Sequence, residues 1–213
     1  MSSDVLVTTP AQRQTEPHAE AVSRNRRQQA TFRKVLAAAM ATLREKSYAD
    51  LTVRLVAGRA KVAPATAYTY FSSKNHLIAE VYLDLVRQVP CVTDVNVPMP
   101  IRVTSSLRHL ALVVADEPEI GAACTAALLD GGADPAVRAV RDRIGAEIHR
   151  RITSAIGPGA DPGTVFALEM AFFGALVQAG SGTFTYHEIA DRLGYVVGLI
   201  LAGANEPSTG GSE

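Results

Sequence analysis

The sequence predicts an all-α protein, and three observations support that prediction. Apolar residues recur at helical spacing through most of the 213 residues. Capping residues and Asp-Pro pairs stand where helices would begin, and glycine-rich runs stand where they would end. No segment alternates apolar and polar residues as a half-buried strand does. We expect about nine helices, divided between an N-terminal three-helix unit and a larger C-terminal helical domain.

Proline, glycine and capping residues set the boundaries of the predicted helices. Residues 1–23 and 205–213 are polar and are predicted to be a disordered arm and a disordered tail. The N-terminal unit is predicted to span residues 24–75 and the C-terminal domain residues 76–204, with a proline-marked linker at Pro90–Pro100. The predicted helices cover about residues 27–46, 53–60, 64–70, 74–89, 103–115, 118–129, 135–156, 163–179 and 186–202.

Charge is distributed unevenly between the two parts of the chain. The net charge is zero, with 21 Lys and Arg against 21 Asp and Glu. Residues 1–75 contain 12 basic and 5 acidic residues, which gives +7, so the rest of the chain carries −7. This asymmetry predicts that the first part meets a polyanion and that the second part does not. The alternative is a chance distribution of solvated charges.

The composition favours a cytoplasmic globular protein without a metal or cofactor. The longest apolar runs, such as Val196–Ala204, are shorter than the roughly 20 residues that a membrane span needs. The first residues lack the apolar core of a signal peptide. Two cysteines are too few for a disulfide framework. The sequence contains no phosphate-binding loop, nucleophile elbow or zinc-type cluster, so we expect no enzyme activity.

The stretch "KVAPATAYTYF", Lys61–Phe71, carries small polar residues where a core helix would carry leucines. Two short helices joined by a tight turn, the second exposed, make a helix-turn-helix, whose second helix enters the DNA major groove. That groove is only about 12 Å wide. Small side chains at Ala65 and Ala67 would let the backbone approach, and the hydroxyls of Thr66 and Thr69 could reach bases or phosphates.

Tyrosine and lysine side chains around this helix suit contacts to the DNA backbone. Tyr68 and Tyr70 are long and end in a polar group that can reach phosphate oxygens. Lys74 opens the next helix, where its ammonium and the helix N–H groups could hold one phosphate. The alternative for either tyrosine is that it packs half-buried between helices.

The segment "LTVRLVAGRAKVAPATAYTYFSSKNHLIAEV" resembles the N-terminal domain of the TetR family of bacterial transcriptional regulators. The resemblance spans about residues 31–81, and the remaining residues resemble the family only in being helical. The family's pattern is met by Thr52, Arg54, Val56, Ala57, Val62, Thr66, Tyr68, Tyr70, Phe71, Lys74 and Leu77.

This resemblance implies a homodimeric, sequence-specific regulator of transcription that binds double-stranded operator DNA. It implies a repressor, released from a palindromic operator by a small hydrophobic effector. An activator, a regulator without a ligand and a helical adaptor for other proteins are the alternatives. The residues that would contact DNA are Arg54, Lys61, Ala65, Thr66, Tyr68, Thr69, Tyr70 and Lys74.

Two positions depart from the family's pattern. Lys61 stands in the turn where the family usually has glycine, and a left-handed backbone there would cost a lysine about 1–2 kcal/mol. Ala63 stands where the family usually has a Ser or Thr that caps the recognition helix. The missing side-chain cap lowers the stability of that helix by about 1 kcal/mol. Both put the entry angle of that helix in question.

The resemblance also implies that the last two helices pair two chains and that the middle helices hold the effector. Both final helices are apolar on nearly every face, and the alternative is that they form the core of a monomer. The predicted dimer residues are Gly174, Ala175, Gln178, Gly194, Val197 and Gly198. The predicted pocket residues are His109, Leu112, Cys124, Leu128, Phe166, Glu169, Met170 and Phe173.

Glu169 is an ionisable residue in a largely apolar helix. A buried carboxylate without a partner is costly, so we expect an Arg, a His or a ligand beside it. The alternative is a glutamate on the surface or on the dimer face.

Overall fold

The computed structural model describes residues 16–130 and 133–204, and within these residues the chain is all-α, as the sequence predicts. A single 3₁₀ turn, Leu112–Val114, follows the fifth helix. The helices are α1 Glu16–Leu43, α2 Val53–Arg59, α3 Pro64–Tyr70, α4 Lys74–Gln88, α5 Met99–Ala111, α6 Pro118–Asp130, α7 Pro135–Ile156, α8 Pro162–Gly180 and α9 Tyr186–Ala204.

The first helix begins earlier than the sequence predicts. Its backbone is helical from Glu16, so the prediction of disorder over residues 1–23 was wrong for residues 16–23. Alanines at positions 19 and 21 favour a helix. Residues 1–15 and the predicted tail, residues 205–213, lie outside the described residues.

The N-terminal unit packs α1, α2 and α3 around Phe71. The Phe71 ring is fully buried and stacks on Phe32 of α1 with 5.0 Å between the ring centroids. Thr52 caps α2 by accepting a hydrogen bond from the Leu55 N–H at 3.1 Å. The sequence pattern places Leu55 on the buried face, but it is 38% exposed and Val53 is buried instead.

Helix α4 belongs to both parts of the molecule. It packs on α1 of the N-terminal unit and on α6 and α7 of the larger domain. The predicted domain boundary at residue 75 therefore falls at the first turn of a helix that the two parts share. The buried residues of this 15-residue helix are Leu77, Ile78, Ala79, Glu80, Val81, Tyr82, Leu83 and Val86.

The larger domain is a bundle in which α5 and α8 pack on α9, α5 packs on α7, and α6 packs on α8. Helix α8 is the one described helix long and apolar enough to cross a membrane by length and composition. Only 28% of its most apolar window is buried in one chain. Several large apolar side chains of α8 and α9 therefore face outward.

Arg151 of α7 ties the end of α4 to the bundle. Its side chain is 1% exposed, and its guanidinium donates to the Val89 carbonyl at 2.9 Å and to the Glu147 carboxylate at 2.6 Å. Glu147 also accepts a hydrogen bond from Arg150 at 2.7 Å. These bonds, with Arg150 the larger contributor, lower the pKa of Glu147 to about 2.

We expect Glu147→Gln to lower the free energy of unfolding near neutral pH by about 1–2 kcal/mol, because the pKa falls from 4.5 to about 2 on folding and solvent screens part of the attraction to the exposed Arg150. A lowered carboxyl pKa stabilises the fold above the unfolded-state value and stops doing so below the folded-state value. The difference between wild type and variant should therefore shrink as pH falls from about 4.5 to about 2.

Urea unfolding followed by circular dichroism at several pH values measures this difference. Glu119→Gln removes an exposed carboxyl at the start of α6 and serves as the control. A difference that stays constant across that pH range would contradict the role given to Glu147.

Candidate DNA-binding surface and ligand cavity

Helix α3 presents four small or polar residues to solvent. Ala65, Thr66 and Thr69 are exposed, and the Tyr68 side chain is 51% exposed. Ala67 is fully buried against the N-terminal core, so of the two alanines expected to let the backbone approach DNA only Ala65 lies on the outer face. The small side chains on the outer face of α3 therefore allow the helix to enter the major groove, and its hydroxyl groups can contact base edges.

The turn before α3 has the strained backbone that the sequence suggested. Lys61 has a φ of 53°, which makes it the one residue other than glycine with positive φ among the described residues. The Val62 N–H donates to the Ala57 carbonyl at 2.9 Å and closes this turn. Ala63 provides no side-chain cap, and Pro64 occupies the first turn of α3. Lys61 and Arg54 are both exposed, so their charges are available to a polyanion.

Tyr70 and Lys74 have partners inside the protein. Tyr70 is half-buried and meets the Phe32 ring edge-on, with 6.1 Å between centroids, which matches the packing alternative for one tyrosine. The Lys74 ammonium donates to the carbonyls of Tyr48 at 3.2 Å and Ala49 at 3.4 Å. Lys74 therefore fastens α4 to the loop after α1. The predicted contact between Lys74 and a DNA phosphate stays a prediction. The ammonium would have to leave the Tyr48 and Ala49 carbonyls to make that contact.

Several polar contacts connect the N-terminal unit and α4 to the larger domain. The Ser73 hydroxyl caps α4 and donates at 2.9 Å to Asp134, the residue that caps α7. Arg44, which follows α1, forms a two-bond ion pair with Glu117, which precedes α6. The buried carboxylate of Glu80 in α4 pairs with Arg143 of α7. These pairs join residues distant in the chain, so sequence patterns gave no sign of them.

A largely apolar cavity of about 700 Å³ lies between α4, α6, α7, α8 and the start of α9. Three predicted pocket residues, Cys124, Leu128 and Phe173, line it. Burial raises the pKa of the Cys124 thiol to about 12, so this group is neutral. The other lining residues are Tyr82, Gly121, Thr125, Leu129, Arg141, Asp142, Ile144, Gly145, Ala146, Leu176, Val177 and Tyr186.

The other predicted pocket residues lie elsewhere. His109 and Leu112 line a separate, shallower groove beside the end of α4. Phe166 and Met170 are 63% and 55% exposed on the outer face of α8, because the helix turns its other side to the core. Glu169 does have a basic partner, since its carboxylate lies 2.8 Å from Nδ1 of His149, but it does not line the cavity.

The predicted dimer residues divide into two groups. Gly174, Gln178 and Gly198 are exposed, and Ala175 lines a groove between α8 and α9 together with Gly174 and Gln178.

The other two predicted dimer residues face the inside of the same chain. Val197 is 1% exposed and packs in the core, so its assignment to the dimer face was wrong. A Cβ on Gly194 would lie 3.3 Å from Thr104 of α5, so Gly194 allows α5 and α9 to approach and does not face outward. The exposed large apolar side chains of α8 and α9 that do not line the cavity are Phe166, Met170, Tyr195 and Leu199.

Comparison with known proteins places this fold among bacterial regulators. Residues 35–81 match the family model described as bacterial regulatory proteins, tetR family. The structure is similar to a TetR transcriptional regulator from Rhodococcus sp. RHA1, with a TM-score of 0.69 and 21% identity over 85% of this chain and 99% of that chain.

Two similar structures contain a bound ligand. One is Thermus thermophilus FadR, a TetR family transcriptional repressor in complex with lauroyl-CoA, with a TM-score of 0.60 and 18% identity over 85% of this chain and 99% of that chain. The other is the regulator FadR from Bacillus subtilis in complex with stearoyl-CoA, with a TM-score of 0.54 and 14% identity over 81% and 98% of the respective chains.

We expect Lys61→Gly to stabilise the protein by about 1 kcal/mol, because glycine adopts a positive φ without steric cost. The same change should weaken DNA binding and reduce the dependence of log K on log salt by about one unit, because one phosphate contact is lost. Thermal unfolding and DNA titrations between 50 and roughly 200 mM salt measure the two effects.

Lys61→Ala is the matched control, since it removes the charge and keeps the strained backbone. It should reduce the salt dependence as Lys61→Gly does, without the gain in stability. An unchanged salt dependence in both variants would show that Lys61 does not contact phosphate.

Proposed function

Because this chain belongs to the TetR family of bacterial regulatory proteins through its N-terminal domain, residues 35–81, we propose that it is a homodimeric cytoplasmic repressor that a small apolar effector releases from a palindromic operator. The observation that carries the proposal is the sharing of α4. Three residues separate this helix from the exposed recognition helix α3. Tyr82, further along α4, lines the cavity.

The DNA-binding part of the proposal rests on the surface of α2 and α3. Thr66 and Thr69 are exposed at one side of α3, and Arg54 and Lys61 bring two positive charges to the same unit. The Ala65 side chain is a single methyl group, so it does not keep the helix away from base edges. We assign base contacts to Ala65, Thr66 and Thr69 and backbone contacts to Arg54, Lys61 and Tyr68.

The dimer rests on the outward apolar face of α8 and α9. Exposed apolar patches of this kind on a soluble protein mark interaction surfaces. Tyr195 and Leu199 of α9 are 72% and 57% exposed, and Phe166 and Met170 add to this face from α8. A second copy of the chain would cover it, and it would place two recognition helices on successive turns of the DNA.

The effector would act on the contacts that hold the N-terminal unit. A ligand in the cavity touches α6 through residues such as Cys124 and Leu128. Glu117 directly precedes α6 and binds Arg44, whereas Asp134 caps α7 and binds Ser73. A shift of α6 relative to α7 would therefore change the position of one attachment relative to the other. The ligand would stabilise a conformation in which the two α3 helices no longer match successive grooves.

The related repressor with bound lauroyl-CoA supports a ligand-responsive role and a repressing one. We assign no catalysis to the chain. An activator or a regulator without a ligand would use the same α3 surface, and the measurements below separate these functions from the proposed one.

Selection from a random pool of DNA duplexes with the purified protein at physiological salt tests the proposal. We expect an imperfect palindrome, because two identical recognition helices related by a two-fold axis read two half-sites. Recovery of a single unrepeated site would contradict the dimeric arrangement, and recovery of no sequence would contradict operator binding by the free protein. Transcription from a promoter carrying the selected site then distinguishes a repressor from an activator.

Leu199→Glu tests whether binding to the palindrome depends on a dimer formed through α8 and α9. A charge in the middle of this apolar surface should yield monomers in sedimentation velocity and weaken binding to the palindrome more than to one half-site. Val95→Glu is the control, since Val95 is 82% exposed in the loop between α4 and α5. A Leu199→Glu protein that remains dimeric would place the interface elsewhere.

A further inference from the structure

We propose that the effector is an uncharged, mainly apolar molecule with one hydrogen-bond acceptor oxygen, and that the hydroxyls of Tyr82 and Tyr186 bind that oxygen in the cavity. The inference rests on the proposed function, because it names the chemistry of the ligand that this function requires. It also departs from the acyl-CoA complexes of the similar structures, whose ligands carry several phosphate charges.

The two tyrosine hydroxyls are buried without a partner. Tyr82 and Tyr186 are each 4% exposed, and both line the cavity. Within residues 16–130 and 133–204, neither hydroxyl makes a hydrogen bond. Buried polar groups in folded proteins nearly always have a partner, and those that lack one need an explanation. Both oxygens have almost no accessible surface, so a ligand oxygen would bind them when the tyrosine side chains shift toward the cavity.

Close packing between helices holds the Tyr186 ring at the cavity wall. A Cβ on Gly121 of α6 would lie 2.6 Å from two carbons of the Tyr186 ring, so only glycine lets the ring lie against α6. Tyr82 reaches the cavity from α4, and its pKa is raised by burial and, to a smaller extent, by its neighbours Cys124 and Tyr186. The three groups thus form one polar cluster on an otherwise apolar wall.

The groups of this cluster are neutral, and the two hydroxyls can each donate a hydrogen bond. Burial raises the pKa of all three of its groups, so the two phenols and the thiol keep their protons at physiological pH. The Thr125 hydroxyl lies beside Tyr186 and has a smaller, opposite effect on its pKa, but it makes no hydrogen bond of acceptable geometry. Two O–H groups on one wall suit the two lone pairs of a carbonyl oxygen.

The charge of the lining argues against an anionic ligand. Arg141 and Asp142 are the two charged residues among those that line the cavity, so the lining has no net charge. The Arg141 guanidinium already donates to the Leu128 carbonyl. Phosphate recognition relies on charge-assisted hydrogen bonds, commonly from several Arg or Lys groups. A volume of about 700 Å³ instead suits a drug-sized apolar molecule such as a ketone, ester or lactone.

Prodan, a neutral fluorescent naphthyl ketone, is a suitable probe. Its emission shifts to longer wavelength when its carbonyl accepts a hydrogen bond. We expect wild-type protein to bind prodan with a red-shifted emission, compared with its emission in an apolar solvent. Its carboxylate analogue and decanoyl-CoA should bind at least about tenfold more weakly, because Arg141 is the one cation in the lining and Asp142 balances its charge.

Tyr82→Phe and Tyr186→Phe remove the hydroxyls and keep the rings. Each should weaken prodan binding by about tenfold and shift its emission to shorter wavelength. Neither should lower the melting temperature of the free protein, because the lost hydroxyl has no partner there. Tyr48→Phe, which removes a hydroxyl that donates to Asn75 and does not line the cavity, is the matched control and should leave prodan binding unchanged.

Gly145→Phe establishes where the probe binds. Gly145 lines the cavity, and a Cβ there would meet open space, so a phenyl ring can fill part of the volume and should abolish prodan binding.

The outcomes separate this inference from the proposed function. If decanoyl-CoA binds more tightly than prodan and the Tyr→Phe changes affect neither, the ligand class is wrong and a ligand-binding cavity still stands. If either Tyr→Phe change lowers the melting temperature by several degrees, the hydroxyl has a structural partner and the inference fails. If no probe binds to wild-type protein, the proposed effector response fails together with it.

Discussion

The burial of α4 on both sides is the constraint on which the rest of the structure depends. Its apolar residues are shared between the core of the N-terminal unit and the core of the larger domain. The one charge buried in this helix, Glu80, is 7% exposed and pairs with Arg143 of α7. Removing one partner of such a pair leaves an uncompensated charge, which is strongly destabilising. The pair therefore favours one position of α4 against α7.

This constraint makes the position of the recognition helix depend on the packing around the cavity. Only Phe71, Ser72 and Ser73 separate α3 from α4, and Phe71 is fully buried while Ser73 is held by Asp134. The N-terminal unit therefore has little freedom to move unless α4 or α6 moves. A regulator built this way can respond to a ligand without any contact between ligand and DNA, provided that the ligand prefers one arrangement of these helices.

The sequence predicted local features better than contacts between distant residues. The caps and the helix-turn-helix depend on neighbouring residues, and the chain pattern was sufficient for them. The left-handed Lys61 was suggested only by the family's usual glycine at that position. Helix α8 is apolar on nearly every face, so its pattern could not show which side meets the core, and Phe166 was placed in the pocket for that reason. Tyr82 lies in an ordinary core stripe of α4, and only the fold shows that it reaches a cavity and lacks a hydrogen-bond partner.

The most direct test of the coupling between cavity and DNA is to measure the operator Kd with and without saturating prodan, and the prodan Kd with and without operator. If α4 and α6 connect the two sites, each ligand should weaken the other by the same factor, of about fivefold or more, because linkage is reciprocal. Prodan bound in the cavity with no change in the operator Kd would contradict the account, since the cavity would then have no influence on the position of α3.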